Sequence, residues 1–492
     1  MSESKIPENV KRYRPETCSE IKLISGHYYV YRYSAVLLAS GKWGKKSGPC
    51  IGSIIPDVGF KPNRNYLESD TDTTDIITVL DYGQYAFIED IASSVKHDLE
   101  QCFPLDKAAQ IFSYAVILYA NGFVHIDQIQ RIYEQTWLPV EYKDYTFKMG
   151  HNALNTLLDD LGRKTTRVRN YEQQCIESSL KKIAIDGHAI RSCSEENDLG
   201  EAGYKFKKLG EDQVNLLMGY DINTGKPLFA RMYRGSCNDK ATIPDLSEYL
   251  DYSGIEFIVD RGFYSRKNLD LLSMNGNSYI IPVPTNTDVF AKAMTGRKYT
   301  SSFYYSSGKK HSRVEFWMKK ISNTEKVYVY RDIDENEKCR YNYQHCIELG
   351  KAGYTPDGYE KAKEFFGVYV LQTSSKKKAE AIFTDYKKRW GIETFYQYLK
   401  NSADFNNLMM QDYYKEQGFS FIMLITGQIH QQIIDAVKLL NDNTMSVSDV
   451  LLMAKFMKLE LKGSTWNLKN TRKRDLQILE KMNFKPKQLV PA

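Results

Sequence analysis

The sequence has no apolar segment long enough to cross a membrane. A spanning helix needs about 20 apolar residues, whereas the longest apolar stretch, residues 419–434, is interrupted by Thr, Gly, Gln and His. Residues 1–16 also lack the apolar core of a secretory signal. We therefore predict a buried helix at 419–434 and a protein that acts in the cytoplasm.

Paired cysteines and a large charge excess are missing too. The eight cysteines form no C-x-x-C pair, a pair that marks many zinc and redox sites, so we predict reduced, structural thiols. The net charge of +6 permits nucleic acid as a partner without requiring it. Basic residues nevertheless gather at 42–46, 163–169, 205–208 and 472–474, and together these clusters indicate a phosphate-binding surface.

A chain of 492 residues exceeds the size of a typical single core, so we predict several domains. Residues 1–170 begin with strand-like runs and continue with helical segments on either side of Gly122. These two helices fit a helix-turn-helix unit or a plain helical hairpin. We predict an α+β accessory region at 1–170 that contacts DNA, and a helical, basic region at 436–492.

The pattern changes after residue 170. Strand-like runs at 181–186, 213–221 and 226–235 are followed by a helical segment and a further strand at 255–260. Asn223-Thr224-Gly225 is typical of the tight turn between antiparallel strands, and the helix allows the last strand to lie parallel to the first. This order is similar to the ribonuclease-H-like fold. We predict an α/β core at 171–285 and 366–435, interrupted by an inserted β-rich domain at 286–365.

Two of these strands end in the same way. Asp186-Gly187 and Asp260-Arg261-Gly262 each follow a buried apolar run. If the strands are adjacent and parallel, their carboxyl ends bring together two oxygen ligands that suit magnesium or manganese. Either Asp alone is more often a turn former or a helix cap than a metal ligand.

Residues 376–402 contain no Pro and one Gly, which predicts one long helix. Four polar residues of this helix fall within a stripe about 60° wide: Tyr386, Arg389, Glu393 and Lys400. The apolar face opposite suits packing on a sheet. The stripe fits a third metal ligand among phosphate-binding neighbours, although a solvated helix face with an ordinary Arg389–Glu393 ion pair also explains it.

The spacing Y-x2-R-x3-E-x6-K resembles the signature of the insertion-sequence-four superfamily of bacterial DDE transposases, and Tyr386, Arg389, Glu393 and Lys400 match it without a gap. Asp260-Arg261-Gly262-Phe263 is similar to that family's motif around its second Asp. The order of Asp186, Asp260, β-rich insertion and Glu393 also agrees. His188 stands where the family often has a small hydroxyl residue, which leaves its role open.

The resemblance implies a transposase with a two-metal mechanism. Asp186, Asp260 and Glu393 would hold two Mg²⁺ or Mn²⁺ ions about 3.5–4 Å apart. Water would attack the DNA for cleavage, and the freed 3′-hydroxyl would attack target DNA for joining. Tyr386, Arg389 and Lys400 would bind DNA phosphates. Trp317, in the inserted segment, could hold a flipped base or serve only as a core aromatic.

The implied partners are double-stranded DNA, both terminal inverted repeats and target DNA, and a second copy of the chain in a homodimer on that DNA. The implied location is the bacterial cytoplasm. Two alternatives stay open: a ribonuclease-H-like nuclease without strand transfer, and a domesticated DNA-binding protein that no longer mobilises DNA. The second predicts loss of an acidic residue, and all three are present.

Overall fold

The protein forms two compact units. The computed structural model describes residues 6–15, 18–37, 43–63, 66, 78–194, 196–206, 209–308, 310–401, 407–441, 445–462 and 465–487. Unit 1 comprises residues 1–79, 460–467 and 489–492. Unit 2 comprises residues 80–459 and 468–488.

Unit 1 is built on an antiparallel sheet. Its elements in chain order are α1 (Glu8–Lys11), β1 (Ser19–Ile24), β2 (His27–Leu37), β3 (Trp43–Ile55) and β4 (Gly59–Pro62). The four strands pair in the order β1-β2-β3-β4. One face of the sheet covers a small core that includes Val10, Ile21, Val30 and Ile51. The strand-like start of the sequence is therefore confirmed.

Seven helices follow a short strand. The elements are β5 (Thr78–Asp81), α2 (Gly83–Ile91), α3 (Ser93–Cys102), α4 (Leu105–Asn121), α5 (Ile126–Gln135), α6 (Leu138–Glu141), α7 (His151–Arg163) and α8 (Thr166–Ser178). Helix α4 is almost wholly buried, and it ends at Gly122, whose φ of 77° favours glycine. The helices on either side of Gly122 are confirmed. Their contact with DNA stays a prediction.

No single helix of the described chain has the length and hydropathy of a membrane span. Only α4 and α5 taken together meet that composition, and they are bent by 93° to each other.

The central sheet contains strands at the four predicted positions and a further short strand, β7. Its first elements are β6 (Lys182–Ser192), β7 (Glu201–Ala202), β8 (Asp212–Asp221), β9 (Pro227–Arg234), α9 (Asp239–Tyr249), β10 (Glu256–Val259), α10 (Arg266–Leu271) and β11 (Ser278–Pro282). Strands β8 and β9 form an antiparallel hairpin. Strand β10 lies parallel to both β6 and β11. The turn of the hairpin contains Gly225 with a φ of 79°.

The segment 286–365 continues the same sheet. It contributes α11 (Asp288–Met294), β12 (Ser301–Ser307), β13 (Lys310–Lys320), β14 (Lys326–Asp332), α12 (Ile333–Glu348) and α13 (Pro356–Ala362), and β15 (Val368–Thr373) follows. Strand β15 pairs with both β11 and β14, so that β12, β13 and β14 extend the sheet outward. The boundaries of a separate inserted domain stay a prediction.

The remainder of the chain is mostly helical. Its elements are α14 (Ala379–Lys388), α15 (Trp390–Asn401), β16 (Asn407–Leu408), α16 (Tyr413–Lys438), α17 (Val447–Lys455), β17 (Lys458–Lys462), β18 (Thr465–Lys469) and α18 (Lys473–Lys481). The predicted buried helix is α16, whose apolar centre is buried. The region 436–492, expected to be helical, also contains β17 and β18, which with β5 form a three-stranded sheet.

Candidate active site

Asp186 and Asp260 lie side by side on neighbouring parallel strands. Ile185 on β6 is level with Val259 on β10, so the next residue of each segment is an aspartate at the same height. The strand residues before both aspartates are buried. Buried strand residues therefore hold the two aspartates side by side at the point where β10 ends.

The two segments differ beyond the aspartates. Strand β10 ends at Val259, and residues Arg261–Phe263 form a 3-10 turn. Strand β6 does not end at Asp186 as we expected, but continues to Ser192. The reason is its neighbour on the other side: β8 remains paired with β6 as far as Arg191, so β6 keeps one hydrogen-bonded partner after β10 has ended.

Glu393 comes from a helix that is divided in two. The predicted single helix over 376–402 is wrong, since α14 ends at Lys388 and α15 begins at Trp390. The Arg389 N–H donates to the Tyr386 carbonyl, and the Ile392 N–H donates to the Arg389 carbonyl, which is the tighter bonding of a 3-10 turn. A Cβ on Gly391 would lie 3.0 Å from the Tyr220 ring. The glycine thus lets the start of α15 lie against that ring.

Arg389 connects two of the acidic residues. Its Nη2 lies 2.8 Å from Glu393 Oε1, and its Nη1 lies 3.6 Å from Asp186 Oδ2. Only 7% of the Arg389 side chain is exposed. We expected this guanidinium to face DNA phosphates, but in this conformation it faces carboxylates.

The carboxylates influence one another. Burial raises the pKa of Asp186 to about 7, the repulsion of Asp260 and Glu393 adds to this rise, and the Arg389 cation opposes it. The pKa of Arg389 itself is raised by Asp186, Asp260 and Glu393, against the effect of its burial. The guanidinium therefore stays charged and balances part of the local negative charge.

Asp239, which the sequence reasoning missed, lies against the same two segments. A Cβ on Gly262 would lie 2.2 Å from Asp239 Oδ2, and a Cβ on Gly187 would lie 3.2 Å from Asp239 Oδ1. Burial and the nearby Asp260 raise the pKa of Asp239. Over the described ranges, no group donates a hydrogen bond to the carboxylate of Asp239 or Asp260. In the sequence, Asp239 could have been suspected from Gly187 and Gly262, the glycines that follow Asp186 and Asp260.

His188 is a neutral, stacked side chain. Its ring lies 4.8 Å from the ring of Tyr396, with 16° between the planes. Burial, together with the charges of Lys205 and Lys400, lowers the pKa of His188 to about 4. The Tyr396 hydroxyl donates a hydrogen bond of 2.8 Å to the Asp186 carbonyl. These contacts join α15 to β6 beside the acidic residues.

The other expected DNA-binding residues lie in different surroundings. Lys400 is exposed near the end of α15. Tyr386 is 8% exposed and belongs to the cluster that contains Ile382 and Phe383. Tyr386 and Asp260 both line a cleft of about 360 Å³. Trp317 packs on β13 against a cluster of valines, and the structure does not bring it to the acidic residues.

The side chains of Asp186, Asp260 and Glu393 offer carboxylate oxygens, which are the ligands that a hard divalent cation prefers. The two aspartates follow residues that are paired on neighbouring strands. As the side chains stand, however, no three His, Cys, Asp or Glu residues in the described parts of the chain are grouped closely enough to hold a metal ion.

Comparison with known proteins gives one family match. The family described as "Transposase DDE domain" matches residues 177–426, a range that contains Asp186, Asp260 and Glu393. No curated protein sequence matches the chain. Among solved structures, the cryo-EM structure of a piggyBac transposase synaptic complex with hairpin DNA is 12% identical, with 82% of this chain and 81% of that chain covered and a TM-score of 0.38. A score this low does not establish a common fold.

Proposed function

The chain belongs to the family of transposases with a DDE domain, and on that basis we propose that it cuts DNA at the ends of a mobile element and joins the freed ends to target DNA. The observation that carries this proposal is the register that sets Asp186 beside Asp260, with Glu393 linked to Asp186 through Arg389. We further propose a ribonuclease-H-like core and membership of the insertion-sequence-four superfamily.

Asp186, Asp260 and Glu393 are the residues that would hold two Mg²⁺ or Mn²⁺ ions. Bound there, the ions would polarise the scissile phosphodiester and lower the pKa of the attacking water. The chain itself contributes the positions of the metal-binding carboxylates. The aligned strands fix the two aspartates, and the Tyr396 hydroxyl holds the backbone of Asp186.

For the DNA, Lys400 is the best placed of the expected residues because it is exposed on the helix that carries Glu393. Phosphate binding by Arg389 would require its guanidinium to leave Glu393, and contact by Tyr386 would have to come through the cleft beside Asp260. Base holding by Trp317 stays a prediction. We propose terminal repeats and target DNA as the duplex partners, a homodimer on DNA as the active species, and the bacterial cytoplasm as the location.

The test is a cleavage and joining assay on DNA amplified from both sides of the coding region. The full chain should nick this DNA in Mg²⁺ and join the 3′ ends to a plasmid. Asp186→Asn, Asp260→Asn and Glu393→Gln should each abolish both activities. Glu248→Gln is the matched control, because it removes an exposed carboxylate on α9. Full cleavage by any of the three variants would contradict the triad.

The same assay separates the alternatives. Cleavage without joining would assign a nuclease. DNA binding with neither activity in the unmodified chain would assign a non-mobilising DNA-binding protein. Either result would overturn the proposed function and leave the family membership intact.

A further inference from the structure

Unit 1 contains a β-ribbon that extends beyond its sheet. Strand β1 pairs with β2 only from His27 to Arg32, and β4 pairs with β3 only from Gly52 to Ile55. The pairing of β2 with β3 continues further, to Leu37 and Trp43. We call residues 34–37 and 43–46 the ribbon. In the ribbon, as far as the chain is described, two strands have no third strand beside them.

The ribbon carries positive charge. Lys45 and Lys46 are both exposed. Lys45 Nζ lies 4.3 Å from the centre of the Tyr33 ring, and within the described residues neither lysine forms an ion pair. The ribbon contains no Asp or Glu. Because neighbours on a strand point to opposite faces, the two lysines place charge on both faces of the ribbon.

The ribbon also exposes apolar side chains. Trp43 is 74% exposed and Val36 is 37% exposed, while the apolar residues of the unit 1 core lie in the four-stranded part of the sheet and in α1. Because Trp43 and Val36 are not packed into that core, the ribbon contributes little to the stability of unit 1. Its length, its charge and its exposed indole therefore indicate that the ribbon is a binding surface and not a structural part of unit 1.

We propose that the ribbon enters a groove of duplex DNA, with Lys45 and Lys46 on the phosphates. The major groove is wide enough for a two-stranded β-ribbon, and charge on both faces suits a ribbon that stands between two phosphate backbones. The exposed Trp43 ring can then lie against sugar or base edges. This inference rests on the proposed function for its choice of DNA, and it assigns a DNA contact to unit 1, outside the residues 177–426 that match the family.

The test measures binding of the full chain to a fluorescein-labelled duplex of random sequence by anisotropy, over a range of KCl concentrations. Each phosphate contact contributes about 0.9 to the slope of log affinity against log salt. The double variant Lys45→Gln with Lys46→Gln should therefore lower that slope by about 1.8 and weaken binding by at least tenfold near 0.1 M salt. Trp43→Ala should weaken binding several-fold and leave the slope unchanged.

The matched control is Lys11→Gln with Lys61→Gln, which removes the same charge from unit 1 outside the ribbon. It should change the slope by much less. Circular dichroism should show that the ribbon variants fold, because the substituted residues lie outside the unit 1 core.

The outcomes are distinct. Unchanged affinity and slope in the ribbon variants, with an unmodified chain that binds and nicks DNA, would overturn the ribbon's role and leave the proposed function standing. Equal losses in the control and in the lysine variant would also overturn it, because charge alone would explain the binding. An unmodified chain that neither binds nor cuts DNA would overturn both proposals.

Discussion

Replacing Arg389 with Met tests whether this residue is an internal counter-ion of the acidic site. The guanidinium is 7% exposed and contacts Glu393 at 2.8 Å and Asp186 at 3.6 Å. Its removal leaves Asp186, Asp260 and Glu393 to repel one another without a cation among them. Breaking a buried ion pair by removing one partner typically costs about 3–5 kcal/mol.

The expected loss lies at the lower end of that range. Glu393 is 34% exposed, so water screens part of the repulsion, and Met removes a buried Nε that has no hydrogen-bond partner among the described residues. We expect Arg389→Met to lower the free energy of unfolding by about 3 kcal/mol, measured by urea denaturation at pH 8 in the presence of a chelator. Glu393→Gln in the same chain should restore part of the loss, because one of the repelling charges is removed.

Arg163→Met is the control. Arg163 forms an i,i+4 pair with Asp159, with side chains 50% and 33% exposed, and such a surface pair contributes at most about 1 kcal/mol. If Arg389→Met is no more destabilising than Arg163→Met, the counter-ion role is wrong. Loss of DNA binding with unchanged stability would instead favour the phosphate-binding role that the sequence predicts.

Three further predictions concern packing and pH. Gly262→Ala should destabilise the protein by about 1–3 kcal/mol, since the new Cβ would lie 2.2 Å from Asp239 Oδ2; thermal denaturation should show a smaller loss when Asp239→Ala is also present, and equal losses would contradict the contact. Gly418→Ala should cost about 3 kcal/mol, because its Cβ would lie 2.0 Å from the Leu158 carbonyl where α16 crosses α7; an unchanged urea midpoint would refute this. Burial raises the pKa of Glu172 to about 7 from 4.5, so between those pH values the folded state binds more protons and stability falls as pH rises. Glu172→Gln should therefore be about 3 kcal/mol more stable than the unmodified chain at pH 8 and should lose much of this pH dependence; parallel stability curves from pH 4 to 8 would show that Glu172 is not the group responsible.

Local signals in the sequence predicted the strands and turns around the site. Asn223-Thr224-Gly225 fixes a hairpin by its own turn chemistry, and the apolar run before Asp260 is short and continuous, as in a strand buried on both faces. The level register of Asp186 and Asp260 follows from two such strands lying side by side. These features depend on neighbours in the sequence, which is why they could be predicted.

Features set by distant contacts could not be predicted. Strand β6 runs past Asp186 because β8 remains beside it. The helix break at Arg389 coincides with the approach of Gly391 to Tyr220, and a single glycine within a helical pattern does not indicate such a contact. Strands β12, β13 and β14 join the central sheet through β15, and a strand pattern does not specify its partner.

The two glycines at the site show how a local pattern can report a distant group. Gly187 lies inside β6, and neither Gly187 nor Gly262 has a positive φ. Backbone conformation therefore does not require glycine at either position. At Gly262 the space requires it, because the Asp239 carboxylate occupies the place where a side chain would stand, and at Gly187 a Cβ would be in tight contact with the same carboxylate at 3.2 Å. A glycine beside a candidate catalytic carboxylate, in a backbone conformation open to any residue, is thus a sign that a further group approaches the site.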